Sequence, residues 1–335
     1  MALSDPARTS ESASRVGIVV IGRNEGMRLQ NCLLKLPKER SVVYVDSGSS
    51  DDSVSFARGQ ACEVVELDMT RSFTAARARN AGWRNLLRVW PDTKYIQFVD
   101  GDCELDHEWI NTAGQFLDSN PEAAIVCGRL RERFPHLSIY NRLCDFEWDT
   151  PVGLTDACGG IAFIRVQALQ EVNGYEDELI AGEEPEMCLR IRLRGWSIWR
   201  LGDEMALHDA AMHRFGQWWK RTKRGGFASA ATANLHRGRS TLFNRRRLFS
   251  ALLWGLAFPL GILILVTSFG PIYLVLMLFY PAQILRIFSR IKGQSQLRLL
   301  RACFLVLGKI PEALGVLSFW FGRLTSRSHS LIEYK

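Results

Sequence analysis

Short apolar runs alternate with amphipathic stretches through the first hundred positions. Val16–Ile21 is a continuous apolar run closing on Gly22, and Ser41–Asp46 is a second; each leads into a polar, glycine-containing turn and then a helical pattern. This is a β-α-β rhythm. A third strand is expected over Cys62–Leu67, a helix over Thr74–Trp90 that stops before Pro91, and a fourth strand over Tyr95–Val99. Strands alternating with helices predict an α/β, Rossmann-like domain with a mostly parallel sheet between flanking helices. In such a sheet ligands bind beyond the carboxyl ends of the strands.

The second half reads differently. From Leu248 to Leu285 there are 38 residues without a formal charge, against roughly 20 for one membrane-spanning helix. Two spans are expected, about 248–269 and 271–288, reversing at Ser268-Phe269-Gly270-Pro271. Arg245-Arg246-Arg247 precedes the pair, and Arg286, Arg290, Lys292, Arg298 and Arg301 follow it. Both ends therefore belong on the cytoplasmic side. A last apolar stretch, 302–321, carries Lys309, Pro311 and Glu312 at its middle. Charges at the bilayer centre are costly, which favours an interfacial or re-entrant helix, with a third span as the alternative.

Charge sharpens this division. The 335 residues are 47% hydrophobic and carry a net +7, yet Ala210 to Pro311 holds sixteen Lys and Arg and no Asp or Glu. Residues 1–209 hold 23 basic and 33 acidic side chains, a balance of about −10. The two halves must face different partners. Within the basic half, Arg214–Arg247 interleaves ten cations with Phe215, Trp218, Trp219, Phe227 and Phe243. Its direct attachment to the membrane segment points to an anionic lipid surface rather than nucleic acid. Met1–Arg15 has no apolar core, so it is read as a disordered leader and neither a signal peptide nor an anchor. Eight cysteines without a CxxC pair argue against a zinc module or a disulfide framework, and fit buried thiols in a reducing compartment.

The strongest local chemical signal is Tyr95-Ile96-Gln97-Phe98-Val99-Asp100-Gly101-Asp102, an apolar strand opening directly into two carboxylates. Hard cations such as Mn²⁺ or Mg²⁺ prefer oxygen ligands and, in nucleotide sites, bridge carboxylates to phosphate oxygens. A lone DxD triplet also suits a plain surface turn; its place at the end of a buried strand is what gives it weight.

Four further motifs accompany it. Arg23-Asn24-Glu25 follows the first strand, Val45-Asp46-Ser47-Gly48-Ser49-Ser50-Asp51 the second, Arg77–Gly82 (RARNAG) lies on the next helix, and Gly182-Glu183-Glu184-Pro185-Glu186 comes later. In this order they resemble family 2 glycosyltransferases of the inverting type with the GT-A fold, over roughly residues 16–210. The resemblance implies that Asp46 lies near the base and ribose, with Arg23, Asn24, Glu25 and Asp51 along the same wall. Asp51 equally suits helix capping ahead of Ser53. It implies that Arg79 and Asn80 approach the diphosphate, with Arg77 either beside them or a solvated helix charge. Asp100 and Asp102 would hold the metal beside the nucleotide, with His208 completing that site. The family often has Asp-Asp-Gly-Ser where this chain has Asp46-Ser47-Gly48-Ser49, which leaves the base unidentified.

Glu184 takes the general base's place in the family pattern, with Glu183 in reserve. Pro185 is expected in the first turn of a helix whose N-terminus keeps the carboxylate ionised near neutral pH. Gly159-Gly160, before an expected strand at Ile161–Ile164, would let a donor sugar approach the backbone.

The resulting expectation is a leader (1–15), a GT-A domain (16–210), a basic amphipathic segment (211–247) and a membrane anchor (248–335). As an integral membrane protein with its catalytic domain on the cytoplasmic face of a bacterial inner membrane, it would move a sugar from a nucleotide-diphosphate donor to a lipid-linked or glycan acceptor, in glycan or exopolysaccharide synthesis. A processive polysaccharide synthase and a non-catalytic nucleotide-sugar-binding scaffold are the rivals. Gln217-Trp218-Trp219-Lys220-Arg221 departs from the Gln-x-x-Arg-Trp motif of processive enzymes, which favours single addition.

Overall fold

The computed structural model describes residues 16–236, 242–291 and 295–325, so the leader expected over 1–15 and the last ten positions lie outside the described residues. The chain divides into two compact units, 1–213 and 214–335.

In the N-terminal unit, β1 (Val16–Gly22) is followed by α1 (Met27–Lys35), β2 (Ser41–Asp46), α2 (Ser53–Gly59), β3 (Glu63–Glu66), α3 (Ala75–Val89) and β4 (Tyr95–Asp100). Next come β5 (Cys103–Leu105), α4 (Trp109–Ser119), β6 (Ala123–Glu132), α5 (Ile139–Trp148), β7 (Gly153–Leu154) and β8 (Ala162–Arg165). The unit closes with α6 (Val166–Glu171), α7 (Glu183–Leu193) and β9 (Ser197–His208). One sheet holds every strand in the order β3-β2-β1-β4-β8-β6-β9-β5, with β7 beside β9.

The half β3-β2-β1-β4 is parallel, as the apolar runs predict. Beyond it the sheet is mixed, because β8 enters between β4 and β6 in the opposite sense to both. Register does the positioning. Gly22 lies opposite Asp46 and Ile21 opposite Asp100, so the turns after β2 and β4 flank the turn after β1 at one sheet edge. At the far side β5 pairs antiparallel with β9, setting Cys103 opposite His208. Helix α3 starts after Thr74, whose hydroxyl accepts the Arg77 N–H at 3.0 Å, and packs on the sheet through Gly82.

The C-terminal unit is helical: α8 (Phe215–Leu235), α9 (Leu242–Leu252), a π turn (Leu253–Ala257), α10 (Phe258–Phe269), a 3₁₀ stretch (Pro271–Leu278), α11 (Phe279–Arg290), α12 (Ser295–Leu307) and α13 (Lys309–Leu324). Among the described residues, three helical stretches are long and apolar enough to cross a bilayer: Arg245–Phe269, Pro271–Arg290 and Ser295–Leu324. The first two leave their apolar side chains outward, with Leu263 58% and Ile272 74% exposed, an apolar surface of the kind that marks an association site.

Trp218 and Phe227 correct the expectation that the aromatic residues of 214–247 face lipid. Both are buried in the helical unit, Trp218 edge-on to Phe304 at 4.8 Å and Phe227 edge-on to Phe319 at 5.4 Å. Glycine makes that packing possible: a Cβ at Gly226 would meet the Glu312 carbonyl, and one at Gly315 the Lys223 carbonyl. Side chains excluded from such contacts let two backbones touch.

A methyl at Gly82 would run into Val19 and stand 3.0 Å from Val45. Gly82→Ala is expected to destabilise the N-terminal unit by about 1–3 kcal/mol through overpacking, even though the exchange in an unconstrained helix stabilises by about 0.5–1 kcal/mol. Thermal unfolding of the purified full chain reads the sign; a raised midpoint would contradict the close α3–sheet contact.

Candidate active site

Three turns meet at the carboxyl edge, and the first two are tied together. The Asn24 N–H donates to Ser49 Oγ at 2.9 Å, its Oδ1 accepts the Ser50 N–H at 2.7 Å, and Asp51 Oδ2 accepts the Gly26 N–H at 3.1 Å. Asn24 sits in the left-handed region (φ 54°), which asparagine tolerates better than most residues. Asp51 also accepts the Ser53 N–H at 3.1 Å, so it links two turns and secures the start of α2 at once. Glu25 pairs with Arg28 at 2.8 Å, and the Arg23 guanidinium stacks over the Phe73 ring at 4.4 Å.

Asp46, expected near the base and ribose, is turned inward. It is 2% exposed and accepts from the Tyr44 hydroxyl, both the N–H and hydroxyl of Ser49, and the Gly48 N–H, all within 2.9 Å. Those four bonds occupy the carboxylate and make it the internal frame of the turn.

The RARNAG helix segment departs further. Arg77 is not a solvated charge: it is buried, and its guanidinium donates to the carbonyls of Arg71, Ser72 and Asp68. Asn80, expected at the diphosphate, is 1% exposed, with its amide spent on Tyr175 O, Asp177 Oδ1, Trp83 Nε1 and the Tyr175 N–H. Arg79 is also turned inward. Its Nη2 donates to Asp100 Oδ1 at 2.9 Å, while Nη1 lies 2.9 Å from Glu183 Oε1 and 3.1 Å from Glu184 Oε1. All three departures have one cause: α3 presents these positions to the loops that close over it, so polar heads there must find protein partners.

Asp102 lies just past β4, 6% exposed, with His208 Nε2 at 3.3 Å from Oδ1 and the Cys103 thiol donating to the same oxygen at 3.4 Å. The donor set fits a divalent cation. Ligands on adjacent vertices of an octahedron, at about 2.1 Å from the ion, stand about 3 Å apart, close to the Asp102–His208 spacing. The Cys103 thiol lies in the same cluster, but hard cations such as Mn²⁺ and Mg²⁺ prefer oxygen donors to a soft sulfur. Charge agrees, because Asp100, Glu183 and Glu184 share the single guanidinium of Arg79. Two residues that the sequence left unmarked position the imidazole. Trp148 packs edge-on against it at 4.6 Å, and the Glu132 carboxylate accepts the Ala210 N–H at 3.0 Å, fixing the chain just beyond it. These contacts join separate elements, so no local pattern announces them.

Helix α7 begins at Glu183, after Gly182 in the left-handed conformation (φ 80°), so Glu183 and Glu184 are its first two residues and Pro185 its third. The helix N-terminus, expected to keep Glu184 ionised near neutral pH, is opposed by its surroundings. Burial first, then the neighbouring Glu183 charge, push its carboxyl up to about 7 against the opposing pull of Arg79. Gly160 closes over this group: a Cβ there would meet Arg79 Nη2, stand 2.8 Å from Asp100 Oδ2 and 3.1 Å from Glu184 Oε1, whereas one at Gly159 would meet nothing.

Known proteins share this architecture. The profile of glycosyl transferase family 2 matches residues 18–172. Over 253 residues the chain is 22% identical to glycosyltransferase AglE of Haloferax volcanii, covering 71% of this chain and 79% of that protein. It is 24% identical over 192 residues to the probable glucomannan 4-beta-mannosyltransferase 9 of Oryza sativa subsp. japonica; that match spans 52% of this chain and 36% of the rice protein. Among solved structures, mannosyltransferase PcManGT from Pyrobaculum calidifontis, in complex with GDP-Man and Mn²⁺, superposes with a TM-score of 0.63 at 18% identity, over 90% of this chain and 87% of that one. At that identity the likeness speaks for the fold. The family profile runs from β1 through α6 and takes in the turns after β1, β2 and β4 with Asp100 and Asp102, while Glu183, Glu184 and His208 lie beyond it; residues 18–172 are therefore a glycosyl transferase family 2 domain, similar to nucleotide-sugar-dependent glycosyltransferases, within a GT-A fold.

Proposed function

We propose that this chain is a metal-dependent, inverting glycosyltransferase that carries a sugar from a nucleotide-diphosphate donor to a lipid-linked acceptor at the cytoplasmic face of a membrane. The observation that carries the reading is the Asp102–His208 donor set, 3.3 Å apart, together with a Glu184 carboxyl at the start of α7 that shares the Arg79 guanidinium with Asp100. Glu184 takes the proton of the acceptor hydroxyl as its oxygen bonds to the anomeric carbon and the bond to the diphosphate oxygen breaks on the opposite face. A carboxylate with pKa near 7 is a stronger base than an ordinary one and is still substantially ionised at neutral pH. Asp100, Asp102 and His208 would hold Mn²⁺ or Mg²⁺, which offsets charge building on the leaving diphosphate. The joined turns of Asn24, Asp46 and Asp51 form the wall for the nucleoside. GDP-Man bound to the Pyrobaculum protein, and mannosyl transfer in the name of the rice relative, put GDP-mannose first among donors to try.

A lipid acceptor is supported by the C-terminal unit. Glu312 accepts from Lys309 at 2.7 Å and from Arg247 at 3.4 Å, so its charge is compensated at the level where Arg245–Arg247 opens the first span. A Cβ at Gly255 would meet the Lys309 carbonyl. From 309 to 312 the chain therefore climbs back toward the start of that span. On this reading 295–324 is an interfacial or re-entrant helix, with both its ends cytoplasmic.

Detergent-purified protein with Mn²⁺ should release nucleoside diphosphate from one member of a GDP-, UDP- and dTDP-sugar panel, faster with membrane lipid extract. Asp102→Ala should lower that rate at least about 100-fold at any Mn²⁺ concentration; undiminished release would remove Asp102 from the metal site. Because Glu184 must be deprotonated to act, kcat/KM should rise with pH up to a plateau above about 7, falling about tenfold per unit below it. In Glu184→Gln the residual rate should be flat across that range; a retained inflection near 7 would assign the titration elsewhere. A reporter fused after Lys335 should be cytoplasmic, and a periplasmic reporter would make 295–324 a third span.

A further inference from the structure

We propose that Arg79 is a positioning residue: one rigid guanidinium fixes the carboxylate at the end of β4 relative to the carboxylate at the start of α7 and never touches the donor. This rests on the base assignment made above for Glu184. The two groups belong to elements with no backbone connection between them, and each reaches a different end of the same planar fork. Nη2 donates to Asp100 Oδ1 at 2.9 Å, and Nη1 lies 3.1 Å from Glu184 Oε1. Glu183 Oε1, 2.9 Å from Nη1, supplies the second anion that keeps the guanidinium in place.

Access is closed on every side the structure describes. The Arg79 side chain is 3% exposed, the Tyr175 ring lies 5.7 Å from its central carbon, and the Gly160 backbone covers Nη2 so tightly that no Cβ fits. A diphosphate would have to displace a carboxylate from a buried cation to reach either terminal nitrogen. Arginine suits the task for a geometric reason: its donors diverge in a fixed plane, so two acceptors bound to it are held at a set separation. The single ammonium of lysine imposes no such relation. A misplacement of about 1 Å between reacting groups costs on the order of 100-fold in rate.

The test compares Arg79→Lys and Gly160→Ala with wild type and Glu184→Gln, in the detergent-purified full chain with the donor found above, after circular dichroism and gel filtration confirm folding. Gly160→Ala alters no charged group; its methyl crowds Arg79 Nη2, Asp100 Oδ2 and Glu184 Oε1 together, so it disturbs the spacing that the guanidinium sets even if the lysine variant folds poorly. In both variants kcat should fall by about 100-fold while KM for the nucleotide sugar stays within about threefold. A rise in KM at unchanged kcat would make Arg79 a donor-binding group and overturn the proposal, as would kcat within about threefold of wild type beside an inactive Glu184→Gln. Full turnover in Glu184→Gln overturns the base assignment and this proposal with it.

Discussion

Strand β1 is hydrogen-bonded to a parallel neighbour on each side, and nearly everything at the site follows from that register. Because Gly22 faces Asp46 while Ile21 faces Asp100, three turns that are distant in sequence leave the sheet side by side. Parallel pairing requires each strand to be followed by a crossover, so the intervening helices cover the sheet and the turns stay at its edge. The Gly101 N–H donates to the Ile21 carbonyl at 2.8 Å, extending the ladder by one more bond before Asp102 turns toward β9. Position is set by backbone bonds, and the side chains then only have to be the right ones.

The electrostatics of the edge are built on scarcity of positive charge. Arg79 is shared by three carboxylates, and burial leaves Glu183 and Glu184, unlike the partly exposed Asp100, little water to share it with. In that setting the carboxyl that is least well served takes up a proton most readily, and Glu184 is the one raised to about 7. The same logic explains why Arg77 and Asn80 are consumed by carbonyls and amides of neighbouring loops. A buried polar head either finds partners in the fold or destabilises it.

The helical unit uses a different device. Its helices touch where glycines remove side chains altogether, at Gly226, Gly255 and Gly315, and each glycine faces a carbonyl of α13 or α8. Close backbone approach of this kind replaces the interlocking of large side chains. The large apolar residues of the first two apolar stretches are then left to face outward. Lys309, Glu312 and Arg247 compensate one another within this setting, which is how an otherwise apolar helix tolerates them.

Much of this was legible along the chain. Apolar runs of strand length gave β1, β2 and β4 to within a residue, because a strand buried on both faces must be apolar throughout. The uncharged stretch 248–285 likewise announced its helices, since only continuous hydrophobicity lets a helix do without water. What the pattern could not contain was the destination of each polar head. Asp46, Arg79 and Asn80 look like ligand-facing groups when read by motif, yet each is bonded inward by partners that folding brings from elsewhere. The sequence determined which chemical groups the site has and that strand ends would present them. The tertiary structure alone decided which of those groups are spent on the fold and which are left to act, because burial and hydrogen-bond partnership depend on contacts between segments that sequence order keeps apart.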